Sequence, residues 1–344
     1  MGLSDRVEKA IREESKSDCR RDVNRLKAKL SEAQADNESL LQLVDMLEKR
    51  QQLYDTLESE RRNETWEAER KKKPGPHSAI VLASDWHFEE VVQADQVHNL
   101  NAYNPQIAEA RVKHFFSKTA EYWDRYTAGA EEMIFAVLGD MITGFIHEEL
   151  EETNSMPPTD AALMVRDLIL DGIQFLKKET NAKRIVVPCC FGNHSRTTKK
   201  TRVKTGWRHS FEYGIYNHMA RTLEKEKRVR VITTRGRSII LDSHGRKVRF
   251  HHGDDVRYGG GVGGITIPLN KKIAGWNRSI PVDLDCLGHF HSFTFGGNFL
   301  VNGSLIGMSE YGLSLGVGME PPTQAFAVFD GRHGVRTIAK IICS

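Results

Sequence analysis

No stretch of eighteen apolar residues occurs in the 344-residue chain, so no membrane-spanning helix is expected. The N-terminus has no apolar leader either. Met1-Gly2-Leu3-Ser4-Asp5-Arg6 runs straight into charged sequence, against a secretory signal. Cysteine is scarce: Cys19, Cys189, Cys190, Cys286 and Cys343 are odd in number and lack metal-ligand spacing. That speaks against a disulfide framework and for a reduced, cytoplasmic setting. Cys189 and Cys190 sit in an apolar run and read as core thiols.

Proline and glycine are missing altogether between residues 5 and 73, which leaves a charge-rich run of helix formers. Within it Val23, Leu26, Leu30, Ala33, Asn37, Leu40, Val44 and Leu47 alternate spacings of three and four, a heptad with mostly apolar a and d positions. Val at a with Leu at d favours two parallel strands, and Asn37 at an a position sets register and a dimeric state. A homodimer or higher homo-oligomer through residues 20–60 is therefore expected. The competing reading is one amphipathic helix lying on the rest of the protein. Lys71-Lys72-Lys73-Pro74-Gly75-Pro76 reads as a linker. The expected organisation is a helical oligomerisation segment over 1–73, a linker over 74–78 and a catalytic domain over 79–344.

Acidic residues are few where basic ones crowd. Residues 196–249 carry 16 Lys or Arg against 4 Asp or Glu, whereas residues 131–160 carry eight acidic residues and no Lys or Arg. Such segregation creates a field that favours a polyanionic partner.

From Ser78 onward short apolar runs alternate with amphipathic stretches. Strands are expected over 79–83, 133–138 and 184–191, with helices over 108–126, 160–178 and 211–225. Further strands follow over 229–233, 238–241, 247–251, 282–287, 299–302, 325–329 and 336–342. An α/β first half followed by a β-rich second half implies two packed sheets flanked by helices.

The notable polar residues stand just past strand ends: Ser84-Asp85-Trp86-His87, Gly139-Asp140, Gly192-Asn193-His194, His251-His252-Gly253-Asp254 and Gly288-His289-Phe290-His291. Ligands gather beyond the carboxyl ends of strands in open α/β sheets, so the five loops can converge. Mixed carboxylate and imidazole donors suit Mn, Fe or Zn better than Mg or Ca.

These five blocks resemble the calcineurin-like metallophosphoesterase superfamily, whose pattern runs Asp-x-His, Gly-Asp, Gly-Asn-His, His-Gly and Gly-His-x-His in that order. The resemblance implies a four-layer αββα sandwich of two mixed sheets and two divalent cations, Mn first among Mn, Fe, Zn and Ni. Asp85, His87 and His291 would hold one cation and Asn193, His252 and His289 the other, with Asp140 bridging. A hydroxide shared by the pair would attack phosphorus in line. His194 would stabilise the transition state or protonate the leaving oxygen. His252 is taken over His251 because Gly follows it, as in the family's block, and adjacent strand residues point to opposite faces. The chain departs from many relatives in having Ser195 after Gly-Asn-His, where an acidic residue is common, and in the run Gly139-Asp140-Met141-Ile142-Thr143-Gly144, which lacks the Asp many carry a few residues after Gly-Asp.

Three features lean toward a nuclease. Ser84-Asp85-Trp86-His87 is similar to the opening block of the DNA-repair nucleases related to SbcD. Residues 196–208 hold six basic residues and no acid, with Arg196, Lys199, Lys200 and Arg202 as candidate phosphate contacts and Trp207 as a stacking partner. A dimerising helix could also place two sites on one polymer. The blocks beginning at Tyr103 and Asn302 are similar to phosphoesterases of phages and prophages, for which the setting is the host cytoplasm. The alternatives are a small-molecule phosphomonoesterase or cyclic-nucleotide phosphodiesterase, and a non-catalytic scaffold subunit. The Gly-rich run 258–264 reads as a loop or lid beside the fourth block.

Overall fold

The computed structural model describes residues 2–59, 75–258, 264–316, 318 and 320–344. Two units are distinguished, residues 1–71 and 72–344. The described part of the first is a single helix, α1 (Leu3–Ser59), of 57 residues. With neither Pro nor Gly inside, nothing interrupts its i→i−4 hydrogen bonds. Leu26, Leu30, Leu40, Val44 and Leu47 are all exposed along it. Residues 60–73 and the first residue of the expected linker lie outside the described residues.

In the second unit the elements run β1 (His77–Ala83), α2 (Pro105–Tyr126), β2 (Glu132–Val137), α3 (Glu148–Thr153), α4 (Pro158–Glu179), β3 (Arg184–Cys189) and α5 (Phe211–Thr222). Then come β4 (Val229–Thr233), β5 (Ser238–Ser243), β6 (Arg246–His251), α6 (Thr266–Asn277), β7 (Leu284–Leu287), β8 (Thr294–Phe295), β9 (Phe299–Val301), α7 (Glu310–Ser314), β10 (Thr323–Asp330) and β11 (Gly334–Ile342).

One sheet has the order β11-β10-β1-β2-β3-β4, the other β5-β6-β7-β9-β8. Strands β1, β2, β3 and β4 run parallel to one another, as do β6, β7 and β9, whereas β10, β11, β5 and β8 pair antiparallel. Both sheets are therefore mixed. The period of two along β1 sorts its residues between layers. Ala79, Val81 and Ala83 join Val112, Phe115, Val165, Ile169 and Ile215 beneath α2, α4 and α5. Ile80 and Leu82 join Val248, Phe250, Leu284 and Cys286 between the sheets. On the far side, Leu269 and Ile273 of α6 pack on Leu287, Phe299 and Val301. The result is the expected αββα order of layers.

Local signals explain the helix starts. Asn104 accepts the Ile107 N–H at 2.9 Å with Pro105 at the first helical position, and Ser210 caps α5 through the Tyr213 N–H. The sequence reading missed α6. Leu269 and Ile273 are its only fully buried residues, one turn apart among Pro268, Lys271, Lys272 and Gly275. So short a stripe gains its helicity from packing on the sheet.

Candidate metal centre

The five loops come together because β1, β2 and β3 of one sheet and β6 and β7 of the other end on the same side. Backbone hydrogen bonds tie the loops to one another: Asp85 N to the Gly139 carbonyl at 3.0 Å, His87 N to Asp140 O at 3.2 Å and Gly288 N to His252 O at 2.8 Å. Two glycines allow the loops to approach so closely. A Cβ on Gly192 would stand 2.1 Å from Asp140 Oδ1, and one on Gly288 would stand 2.5 Å from Asp85 Oδ2.

Backbone conformation singles out the same residues. Among the described residues eight non-glycine residues have positive φ, and five of them are Asp85 (55°), His87 (48°), Asp140 (51°), His289 (73°) and His291 (53°). Left-handed backbone at a residue with a Cβ costs on the order of 1 kcal/mol, and such residues persist where the surroundings hold them.

The side chains form two groups linked through His87 and Asp140. Asp85, His87 and His291 offer donor atoms within 4.8 Å of one another, and so do Asp140, His252 and His289. Asp140 also stands that close to His87 and His194. Its Oδ2 lies 2.9 Å from His252 Nε2, while its Oδ1 accepts the His194 N–H at 2.8 Å. Asn193 Oδ1 is 3.2 Å from His252 Nε2. The Asp85 carboxylate accepts the His289 N–H and the Ser84 hydroxyl at 2.5 Å, and stands 3.4 Å from His291 Nε2. Asn302 in turn donates to Ser84 Oγ at 2.8 Å.

Outer contacts set the tautomers. His252 Nδ1 donates to Leu138 O at 2.7 Å and His194 Nδ1 to Thr143 O at 2.9 Å, leaving Nε2 of each for the site. His87 Nδ1 lies 3.3 Å from Thr143 Oγ1 and 3.6 Å from Glu90. That leaves His87 Nε2 facing His291 Nε2 at 3.2 Å. Electrostatics are correspondingly tense. Burial, followed by the neighbouring His194 and His291, pulls the His87 pKa well down. Burial and the positive charge of His252 bring His289 to about 4. Burial also works against charge on His252, but the Asp140 carboxylate outweighs it and the pKa rises to about 9. Imidazole nitrogens aimed at one another beside buried carboxylates are what a cation between them would satisfy, so the residues present fit divalent metal.

All eight residues singled out as ligands or catalyst, Asp85, His87, Asp140, Asn193, His194, His252, His289 and His291, gather here. His251 points away: its buried ring stands against Trp276, with centroids 4.9 Å apart, and lies 3.5 Å from Asp285. Arg196 braces the site loop, donating to Asn193 O at 2.6 Å and Thr198 O at 3.1 Å. With Arg202, His209 and Arg237 it lines a shallow, open depression beside Asn193. Lys199 and Lys200 are exposed on the same loop. Trp207 packs on Tyr213, and the guanidinium groups of Arg208 and Arg235 lie over its ring at 5.0 and 4.7 Å. It is therefore not an open stacking platform. Residues 259–263 of the Gly-rich run lie outside the described residues. Cys189 and Cys190 are buried as expected, and burial pushes the Cys190 thiol up to about 12.

Sequence reasoning missed the carboxylates beneath the site. Glu212, at the start of α5, accepts the Met141 N–H at 2.6 Å and the Gly192 N–H at 2.7 Å. Glu89 accepts the N–H groups of Thr143 and Gly144 at 3.0 and 2.8 Å. Glu89-Glu90, one residue beyond the first block, was a visible hint. Glu212 offered none, being far along the chain from Met141. Arg111 links the blocks that begin at Tyr103 and Asn302, donating to the Leu305 and Ile306 carbonyls at 2.8 Å.

No protein-family model matches this chain, and no curated protein does. Solved structures similar to it include a conserved uncharacterized protein of Streptococcus pneumoniae TIGR4, described as a predicted phosphoesterase. The identity is 13% over 78% of this chain and 98% of that one, with a TM-score of 0.31. Vps29 of Entamoeba histolytica in complex with Zn²⁺ has 12% identity over 76% and 99%, with a TM-score of 0.32. A hypothetical protein of Pyrococcus horikoshii OT3 has 12% identity over 76% and 87%, with a TM-score of 0.38. Among the described residues no helix is long and apolar enough to cross a membrane.

Proposed function

We propose that this chain is a phosphoesterase that works through two divalent metal ions, Mn²⁺ first, and cleaves phosphodiester bonds in nucleic acid. The observation that carries the proposal is the Asp140 carboxylate, which offers a donor atom within 4.8 Å of those of His252 and His289 and also of His87. One cation would be held by Asp85, His87 and His291, the other by Asn193, His252 and His289, with Asp140 common to both. When bound, such a pair neutralises phosphate oxygens and lowers the pKa of water.

The chain's own groups supply the rest. His194 commits its Nδ1 proton to the Thr143 carbonyl, so Nε2 is the atom that exchanges a proton with the leaving oxygen. Asp140 Oδ1 fixes the His194 backbone, which keeps that imidazole beside the ligands. Arg196, Lys199, Lys200 and Arg202 extend cationic surface away from Asn193. The basic excess over 196–249 suits a strand with many phosphates. The cationic lining beside Asn193, from Arg196, Arg202 and Arg237, supports a second reading, a small phosphoester bound there.

Purified protein with Mn²⁺ is to be assayed on single- and double-stranded DNA, on RNA, and on mono- and bis-p-nitrophenyl phosphate. Cleavage of a polynucleotide and the bis-ester is expected. Turnover of the monoester alone favours the second reading, and no turnover of any ester refutes both.

A further inference from the structure

Helix α1 carries its apolar stripe wholly in the open. Over 57 residues it is about 85 Å long, and Val23, Leu26, Leu30, Leu40, Val44 and Leu47 are between 43% and 66% exposed. We infer that a second copy of this chain covers the stripe, as a parallel, in-register two-stranded coiled coil that sets Cys19 opposite its counterpart.

Three features select that occupant and direction. The first is the heptad itself, with Val23, Leu30, Asn37 and Val44 at a and Leu26, Ala33, Leu40 and Leu47 at d. The second is Asn37. In a parallel pair its amide meets the same amide of the partner, and both hydrogen-bond. In an antiparallel pair that keeps the four heptads overlapped, an a position faces a d position, so Asn37 would meet Ala33 and its amide would be buried without a partner. The third is charge. In a parallel pair g positions face the e positions of the following heptad, which brings Asp22 to Lys27 and Arg50 to Asp55 across the seam. Among the described residues the ion pairs within α1 are Arg21–Asp18 and Lys49–Asp45, neither of which involves Asp22 or Lys27. Leu41 and Leu43, at e and g, broaden the seam over one heptad. The Asn37 layer next to them is the element that holds the number of strands at two.

Cys19 falls at d, one heptad before Leu26, and gives the test. It is exposed, whereas Cys189, Cys190, Cys286 and Cys343 are buried, so a thiol-specific linker reads Cys19 alone. In the parallel pair the two Cys19 thiols face each other. In the antiparallel pair Cys19 faces Gln51, and the two thiols are about 48 Å apart. The full-length protein is to be examined by light scattering and then treated with a short bis-maleimide, alongside Cys19→Ser. A mass of two chains and a covalent dimer that disappears in Cys19→Ser are expected. A single-chain or three-chain mass overturns the proposal. A two-chain mass without a Cys19 link overturns the parallel register. Neither readout depends on whether the second unit hydrolyses any ester.

Discussion

The Glu212 carboxylate accepts the Gly192 N–H at 2.7 Å with one oxygen and the Met141 N–H at 2.6 Å with the other. One buried side chain thereby holds the loops after β2 and β3 together, the two that carry Asp140 and Asn193. Glu212→Gln keeps the shape but places an NH₂ donor against one of the two N–H donors. We expect a loss of about 1–3 kcal/mol of stability and a fall in metal affinity of roughly 10- to 100-fold. Thermal unfolding and metal titration measure the two effects, and an unchanged variant removes Glu212 from this role.

The same residue has a pH signature in metal-free protein. Burial, and then the Asp140 charge, raise its pKa to about 7 from the ordinary 4.5. A carboxyl raised in the folded state contributes stability that is complete below about pH 4.5 and lost as pH rises through 7. Between those values Glu212→Gln should flatten the decline of unfolding free energy with pH. A wild-type slope that survives the substitution contradicts the assignment.

Asp140 is proposed as the ligand shared by both cations, so Asp140→Ala would remove a ligand from each. Metal content should fall and turnover should drop by more than the roughly 100-fold that an outer contact can cost. Elemental analysis beside bis-ester kinetics tests this, and a fully active variant would sink the proposed centre.

His194 is assigned to proton exchange. His194→Ala should keep its metal content while turnover falls by a factor on the order of 10² to 10⁴. Loss of metal in that variant would instead make His194 a ligand.

The exposed loop after His194 is assigned to phosphate contacts. Replacing Lys199, Lys200, Arg202 and Lys204 with Ala removes up to four of them. The slope of log affinity against log salt for duplex DNA should become shallower by up to about 3.6. An identical slope would retire the loop as a nucleic-acid contact and favour the small-ester reading.

Much of this protein is determined by sequence order alone. Strands such as β1 and β2 were legible from their apolar runs, because burial on both faces demands continuous apolar residues. The ligand blocks were legible because each stands directly after such a run, where a strand end must deliver it. The heptad of α1 is equally local, since its period lies within one helix. Tertiary structure decided what depends on partners distant in the chain. His252 and His251 are neighbours in sequence, yet only the pleat of β6 between two layers turns one toward Asp140 and the other toward Trp276. Glu212 became a clamp only when α5 set it under two loops, and Trp207 was covered only when β4 and its following turn brought Arg235 over the ring. Hydrogen bonds and ring contacts act over a few ångströms of space, and no local period in the chain records which distant residues will come that close.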